Sequence, residues 1–330
     1  MSVKSQMTEL GKEYLEPNEE QDTQKLVDIV IKRLKRNYSP GKTLRQFHAK
    51  MHGCVKATFT VLNDIPTNYQ YGFMVPGKSY DAWIRLSNGS VTVVHDKKPD
   101  LRGMSIKLIN VRGEMLEQDH QLPQSHDFLL VSYPILMSPK VKDFVKNVKA
   151  VCNGTLGVIL FSLNPFNWTT VYRTLQSLKK TGNMFSLKYY SVSPYRLGTP
   201  EQAVKYAAFP AEGLKSSTNT NDKNFLRERM KHDLAVNPVY YDFMIQFQED
   251  PAKMPIENVC VEWKSPWQKV ARIEIHQQNF DTAEINAFGE NLSYSPWHAH
   301  KENQPLGGIN RARKAAYKAI GNFRLERNTK

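Results

Sequence analysis

The strongest constraint on this chain is a period-two alternation of apolar and polar side chains that recurs along most of its length. Val55, Ala57, Phe59 and Val61 alternate with Lys56, Thr58 and Thr60. That is the pattern of a strand with one buried face. Tyr80, Ala82, Ile84 and Leu86 share one face of a second segment, and Asp81, Trp83, Arg85 and Ser87 share the other. Further strand patterns fall at 103–110, 127–133, 187–193, 202–208, 239–247 and 269–277, and helical patterns at 140–152, 166–180, 223–234 and 309–325. Strands and helices do not alternate regularly, which argues against a parallel sheet. An antiparallel α+β fold is expected, with a helical insertion at about 139–182 and the strands able to close into a barrel.

Residues 1–17 read as a frayed arm. Asn18 and Gln21 resemble a capping box. They open a helical stretch in which Leu26, Val27, Val30, Ile31 and Leu34 form an apolar stripe opposite Lys25, Lys32, Arg33, Lys35 and Arg36. This helix reads as a surface helix docked on the body, and its basic face leaves peripheral membrane contact open. The expected organisation is an arm and helix over 1–40 and a single domain over 41–330. The stretch 213–222 has the composition of a loop.

The 330 residues carry 45 Lys and Arg against 32 Asp and Glu, a net charge of +13. Such an excess asks for an anionic partner. The basic residues are dispersed, and no zinc finger or ribonucleoprotein motif occurs, which argues against nucleic acid. Cys54, Cys152 and Cys260 are too few and scattered for a disulfide framework, so a reducing compartment is expected. No apolar signal core is visible in the first 17 residues. The most apolar run, Leu156 to Leu163, stops at Asn164 and Pro165, well short of the roughly 20 residues of a membrane span. A cytoplasmic location is expected.

Two histidine pairs, His48 with His52 and His298 with His300, have spacings that could chelate a metal, but neither has a carboxylate partner at zinc-protease spacing. There is no phosphate-binding glycine loop and no nucleophile elbow. The C-terminal helical stretch is more informative. Arg313, Tyr317 and Arg324 stand at i, i+4 and i+11 on one stripe, beside a small apolar stripe of Ala312, Ala315, Ala316, Ala319 and Phe323.

Arg-x-x-x-Tyr with Arg seven residues later resembles the proximal haem pattern of catalases. The order of other motifs agrees. Arg45-Gln-Phe-His48-Ala-Lys50 is similar to the distal histidine segment, Trp83-Ile-Arg85-Leu-Ser87 to the Arg-Phe-Ser strand, and Asp100-Leu-Arg-Gly103 to the Asp-Pro-Arg-Gly turn. Pro194-Tyr-Arg-Leu-Gly198 and Ala203-Val-Lys-Tyr206 resemble two further strands. The chain thus resembles the catalase superfamily over most of residues 45–327. It is most similar to the short branch of catalase-related haem peroxidases and allene oxide synthases, on the endings Tyr294-Ser-Pro-Trp-His298 and Pro305-Leu-Gly-Gly-Ile-Asn-Arg311.

The resemblance implies a catalase-like antiparallel barrel with surrounding helices and a C-terminal proximal helix. It implies haem b with Tyr317 as axial iron ligand, Arg313 favouring its tyrosinate form, and Arg45, Arg85 and Arg324 on the propionates. His48 would be the general acid and base, oriented by Ser87. Ser125 falls where catalases carry a distal asparagine, and Met137 where they set an aromatic side chain against the haem. Phe47 replaces the usual valine or threonine, and Lys318-Ala-Ile320 the usual Ser-Asp-Thr. The expected function is a peroxidase acting on hydrogen peroxide or organic hydroperoxides with a small organic reductant. Fatty-acid hydroperoxide isomerisation, dismutation of hydrogen peroxide, and haem binding without catalysis are the alternatives. A homo-oligomer remains open.

Overall fold

The computed structural model describes residues 9–39, 41, 43–214 and 222–328. Its strands are β1 (Met51–Val61), β2 (Ser79–Asn88), β3 (Arg102–Leu108), β4 (His126–Val131), β5 (Tyr189–Tyr190), β6 (Tyr195–Leu197), β7 (Thr199–Pro210), β8 (Val239–Phe247) and β9 (Trp267–Ile275). The helices are α1 (Glu19–Asn37), α2 (Val141–Cys152), α3 (Gly154–Leu163), α4 (Trp168–Ser177), α5 (Phe225–Val236), α6 (Ala283–Asn291) and α7 (Gly308–Asn328).

All strand pairings are antiparallel. They run β5-β4-β3-β2-β1-β9-β8-β7, and β5 also pairs with β7, which closes an eight-stranded barrel. Closure removes the open edges that would otherwise recruit foreign strands. Short β6 lies on the same edge of β7 as β5, with Tyr195 opposite Val204. The apolar half of each alternation points inward. Ile84, Leu86, Met104, Ile106 and Leu130 join an aromatic cluster in which Phe59 and Phe243 lie 4.9 Å apart and Phe128 and Tyr206 5.1 Å apart. The interior is therefore a packed core, and binding chemistry is left to the outer face. There Arg85, Ser87, Gly103, Lys107 and Asp127 come into one register.

α1 packs its stripe against α2 and α7: Leu26 and Val30 share a buried cluster with Val141, Val145, Ile309, Ala312 and Ala316. Its basic side is partly internal as well. Arg33 is buried, donating to Gln46 Oε1 at 3.2 Å and to the Val91 carbonyl at 3.0 Å.

Three local expectations differ from the structure. The capping box does not form, because Asn18 sits at φ 65° and its side chain makes no capping hydrogen bond. The chain instead turns through Asn18, and Glu19 N donates to the Glu16 carbonyl at 3.2 Å. The arm is not frayed over 9–17. Gly11 N donates to Gln248 Oε1 and Tyr14 N to Glu257 Oε1, both at 2.8 Å. Arg311 also binds Glu13, Glu19 and Glu257 together. Residues 1–8 and 215–221, which include most of the expected loop 213–222, lie outside the described residues. Within the expected helical insertion the apolar run folds as α3, which the periodic patterns did not single out, and α6 lies outside every expected helix.

Candidate active site

His48 lies just before β1 with φ 58°, a left-handed conformation that is unfavourable for a non-glycine residue. Two contacts hold it there. Its amide donates to the Gly89 carbonyl at 3.3 Å, and its carbonyl accepts from Arg85 Nη2 at 3.0 Å. Such strain, when over-determined by its surroundings, is typical of functional positions. The ring lies on Gly103 of β3. A Cβ at Gly103 would stand 2.5 Å from both Nδ1 and Cε1 of His48 and 3.1 Å from Ser87 Oγ. Only glycine leaves room for the ring. Nδ1 and Ser87 Oγ are 3.0 Å apart, which sets the ring's rotation and leaves Nε2 free of that bond. Burial pushes the imidazole down to about 3, assisted by the charges of Arg85, Arg45 and Arg313. His48 is therefore neutral at ordinary pH.

Beside it, Arg45, Arg85 and Arg324 converge on the C-terminal end of α6. Arg45 Nη1 binds Glu290 Oε2 at 3.2 Å, and Arg85 Nη2 lies 3.6 Å from Glu290 Oε1. Arg324 Nη2 donates to the Glu290 carbonyl at 2.6 Å, and Arg45 Nη2 to the Leu292 carbonyl. Unpaired carbonyls at a helix C-terminus suit cations. Each guanidinium is pushed down to about 10, first by burial, and for Arg45 and Arg85 next by a neighbouring arginine. Three cations thus face one carboxylate, and Arg85 Nε has no hydrogen-bond partner. This excess of two positive charges fits a ligand carrying two carboxylates, bound through guanidinium forks.

α7 supplies the opposite partners. Asn310 anchors its first turns: its Oδ1 accepts from Ser193 Oγ at 2.9 Å and from Arg313 Nη1 at 3.1 Å. The Arg313 guanidinium stands 5.4 Å from the centroid of the Tyr317 ring one turn on. Burial pulls Arg313 down, but Tyr317 and Tyr195 beside it outweigh that and raise it, so it stays cationic. Tyr317 and Arg324 line a cavity of about 430 Å³ with Tyr294, Ser295, Asn291 and residues 117–121. That volume is in the range of cofactor sites. Tyr294 in the cavity lining is buried, and its hydroxyl has no partner. Three guanidiniums around one carboxylate, a phenol beside a guanidinium and the orphaned Tyr294 hydroxyl at the cavity fit the propionates and an iron-binding oxygen of a haem site, although His48, Arg45 and Arg85 do not line the cavity itself.

Ser125 is not part of this group. It precedes β4 and binds Lys107 Nζ through Oγ at 3.2 Å. Lys107 is four residues along β3 from Gly103, about 13 Å at strand spacing. Strand register sets Val131, not Ser125, opposite Gly103. Met137 is half-buried between β4 and α2.

Neither histidine pair forms a chelate. His52 Nε2 meets Asn88 Oδ1 at 2.6 Å while His48 meets Ser87. His298 Nδ1 binds Asp127 Oδ2 at 2.9 Å, whereas His300 Nδ1 accepts from Glu302 N. Asp119, Asp127 and His298 converge closely enough to hold a cation. Lys107 Nζ already occupies the centre, 2.6 Å from Asp127 and 2.8 Å from Asp119.

Sequence reading missed Glu290 and Tyr294 as site residues, since a carboxylate on an unanticipated helix carries no motif. Gly103 stood inside a matched turn, and its lack of a side chain was the available signal.

No family model matches the chain, and no curated protein matches it in sequence. Its structure is similar to those of a fungal catalase (TM-score 0.70, 15% identity, 89% of this chain and 62% of that one) and catalase A from Saccharomyces cerevisiae (TM-score 0.70, 16% identity, 89% and 63%). A bacterial catalase aligns with a TM-score of 0.64 and 14% identity over 90% of this chain and 59% of its own. The fold is therefore catalase-like: a closed antiparallel barrel with surrounding helices and a C-terminal helix. The chain spans about three fifths of the length of these catalases.

Proposed function

We propose that this chain is a haem b peroxidase that cleaves the O–O bond of a hydroperoxide. The observation that carries the reading is the joint placement of a neutral, Ser87-bound His48, an arginine trio with two unmatched charges, and the Arg313–Tyr317 pair beside the cavity. When bound, ferric haem supplies a Lewis-acidic, redox-active iron at which a peroxide can be reduced. Arg45, Arg85 and Arg324 would hold its propionates, and the Tyr317 oxygen would bind its iron, with the cationic Arg313 one helical turn away. Met137 is the proposed haem-side apolar contact. His48 Nε2 takes the proton from one peroxide oxygen and returns it to the departing one, and Ser87 keeps the ring aimed throughout. An organic donor supplies two electrons and two protons, the O–O bond breaks, and an alcohol and water leave.

Val131, which β4 sets opposite Gly103, offers no polar group to hold a second hydrogen peroxide. This favours reduction by an external donor over dismutation. The test loads the full chain with haem and compares dye oxidation, oxygen evolution and consumption of a fatty-acid hydroperoxide without donor. Dye oxidation that exceeds oxygen evolution supports the peroxidase. Donor-free rearrangement would assign an isomerase instead. Tyr317→Phe should abolish the ligand-sensitive optical bands; if they persist, the axial assignment is wrong.

A further inference from the structure

We propose that α3, the turn after it and α4 form a docking surface for an anionic lipid bilayer. α3 has no buried residue. Leu156 is 66% exposed, Leu163 71% and Phe166 at its tip 96%, and Ile159, Leu160, Trp168, Tyr172 and Leu175 are exposed with them. Apolar side chains of α3 point in several directions around its axis. A groove on a protein partner covers one face of a helix, whereas lipid covers all of them.

The charge pattern selects the same partner. No Asp, Glu, Lys or Arg occurs from Ala150 to Tyr172, and no Asp or Glu from Phe144 to Pro200. Basic residues flank the apolar stretch in sequence: Lys142, Lys146 and Lys149 are exposed on α2, where Lys146 pairs with Asp143 at 3.1 Å, and Lys179 and Lys180 are exposed just after α4. This is the layout of an interfacial anchor, with apolar and aromatic groups at the acyl boundary and cations at phosphate level.

The tip also meets the demand that hydrocarbon makes on backbone groups. The end of α3 is capped internally: Asn167 Nδ2 donates to the Phe161 carbonyl at 2.9 Å and Trp168 Nε1 to the Ser162 carbonyl at 3.1 Å. Asn164 Oδ1 accepts from Phe166 N at 3.1 Å. Polar groups so satisfied need not stay in water. At ten residues, α3 is about 15 Å long, half a hydrocarbon core, so the segment lies in one leaflet. α1, by contrast, has spent its apolar stripe on α2 and α7.

The test is co-sedimentation of the full chain with vesicles of pure phosphatidylcholine and of phosphatidylcholine with one quarter phosphatidylserine. Strong binding is expected to the second and at least tenfold weaker binding to the first. Leu160→Glu with Phe166→Glu should reduce binding at least tenfold, and Lys179→Gln with Lys180→Gln should weaken it only for the anionic vesicles. All four side chains are exposed, so folding and melting should be unchanged. Trp168 should move to a quenched position with bromine-labelled lipid, read against Trp168→Phe. Failure to bind anionic vesicles overturns the proposal. So does an association between copies of this chain that the Leu160 and Phe166 substitutions abolish while vesicle binding persists unaltered.

Discussion

Gly103→Ala adds one methyl group beneath His48. The new Cβ would stand 2.5 Å from Nδ1 and Cε1, so the ring must retreat by about 0.9 Å to reach ordinary contact at 3.4 Å. The backbone cannot follow easily, since Arg85 and Gly89 hold His48 on both sides of its strained φ. The ring therefore gives way, and the 3.0 Å contact to Ser87 is the bond at risk. Overpacking of this kind costs about 1–3 kcal/mol. The reduced freedom of the unfolded chain returns roughly 0.4–1 kcal/mol. A net loss of about 1–2 kcal/mol should appear as a small fall in the denaturant midpoint. The catalytic effect should be larger, because a misplacement of about 1 Å lowers a rate on the order of 100-fold. Haem uptake, which the proposed function assigns to the arginine trio, should stay the same in an optical titration. Turnover of hydroperoxide would be measured on the haem-loaded variant beside His48→Ala. Unchanged turnover in both variants would refute the assignment of His48 as the proton carrier.

Arg324→Leu should weaken haem binding by about 1.5–3 kcal/mol, roughly 10- to 150-fold in Kd, the range for hydrogen bonds to charged groups. The haem-free stability should change much less, because the substitution also removes one of three mutually repelling cations; paired titration and melting measure both. Lys107→Met leaves Asp119 and Asp127 facing each other without their cation, and should destabilise the fold by about 3–5 kcal/mol in urea unfolding. Haem-free protein should also lose stability in mild acid. His48 and His126 are pushed down to about 3 and His52 to about 4, in each case first by burial. The unfolded chain therefore binds protons below pH about 6.5 that the native chain refuses, and stability is full above that pH. The loss should be about 1.4 kcal/mol per pH unit for each histidine as pH falls from about 6.5 towards 4. Urea midpoints across that window check it, and His126→Phe should flatten the slope.

The barrel was legible because a half-buried strand writes its two faces into alternate residues. Tyr80 to Ser87 told inside from outside one residue at a time, and β2 keeps that division. Helices with a covered stripe, such as α1 and α7, were legible for the same reason. α3 was not, because a segment apolar on every side has no period, and α6 was not, because its stripe is short and mixed. His48, Ser87, Arg45, Arg85, Arg313, Tyr317 and Arg324 were proposed from motif order, and the fold brings them near one another. Strand register, which decides that Val131 and not Ser125 stands opposite Gly103, depends on loop lengths that no local pattern encodes. Glu290 was invisible for a related reason: its role arises only when three distant arginines arrive at the end of one helix.

The position of β1 in the barrel has a consequence for synthesis. It pairs with β2, which follows directly, and with β9, which is made much later. A nascent chain that has completed β1 to β4 carries an open sheet with two bare edges. β1 must wait for β9, and β4 for β5, before they are covered. Such long-range closures are slow and leave intermediates prone to aggregation, so this chain is expected to lean on chaperones while it emerges. His48 enters before the first strand and Tyr317 after the last, so the two faces of the site meet only once α7 docks. On the proposed function, ligand capture would follow closure, and a partly synthesised chain would carry the histidine without the tyrosine.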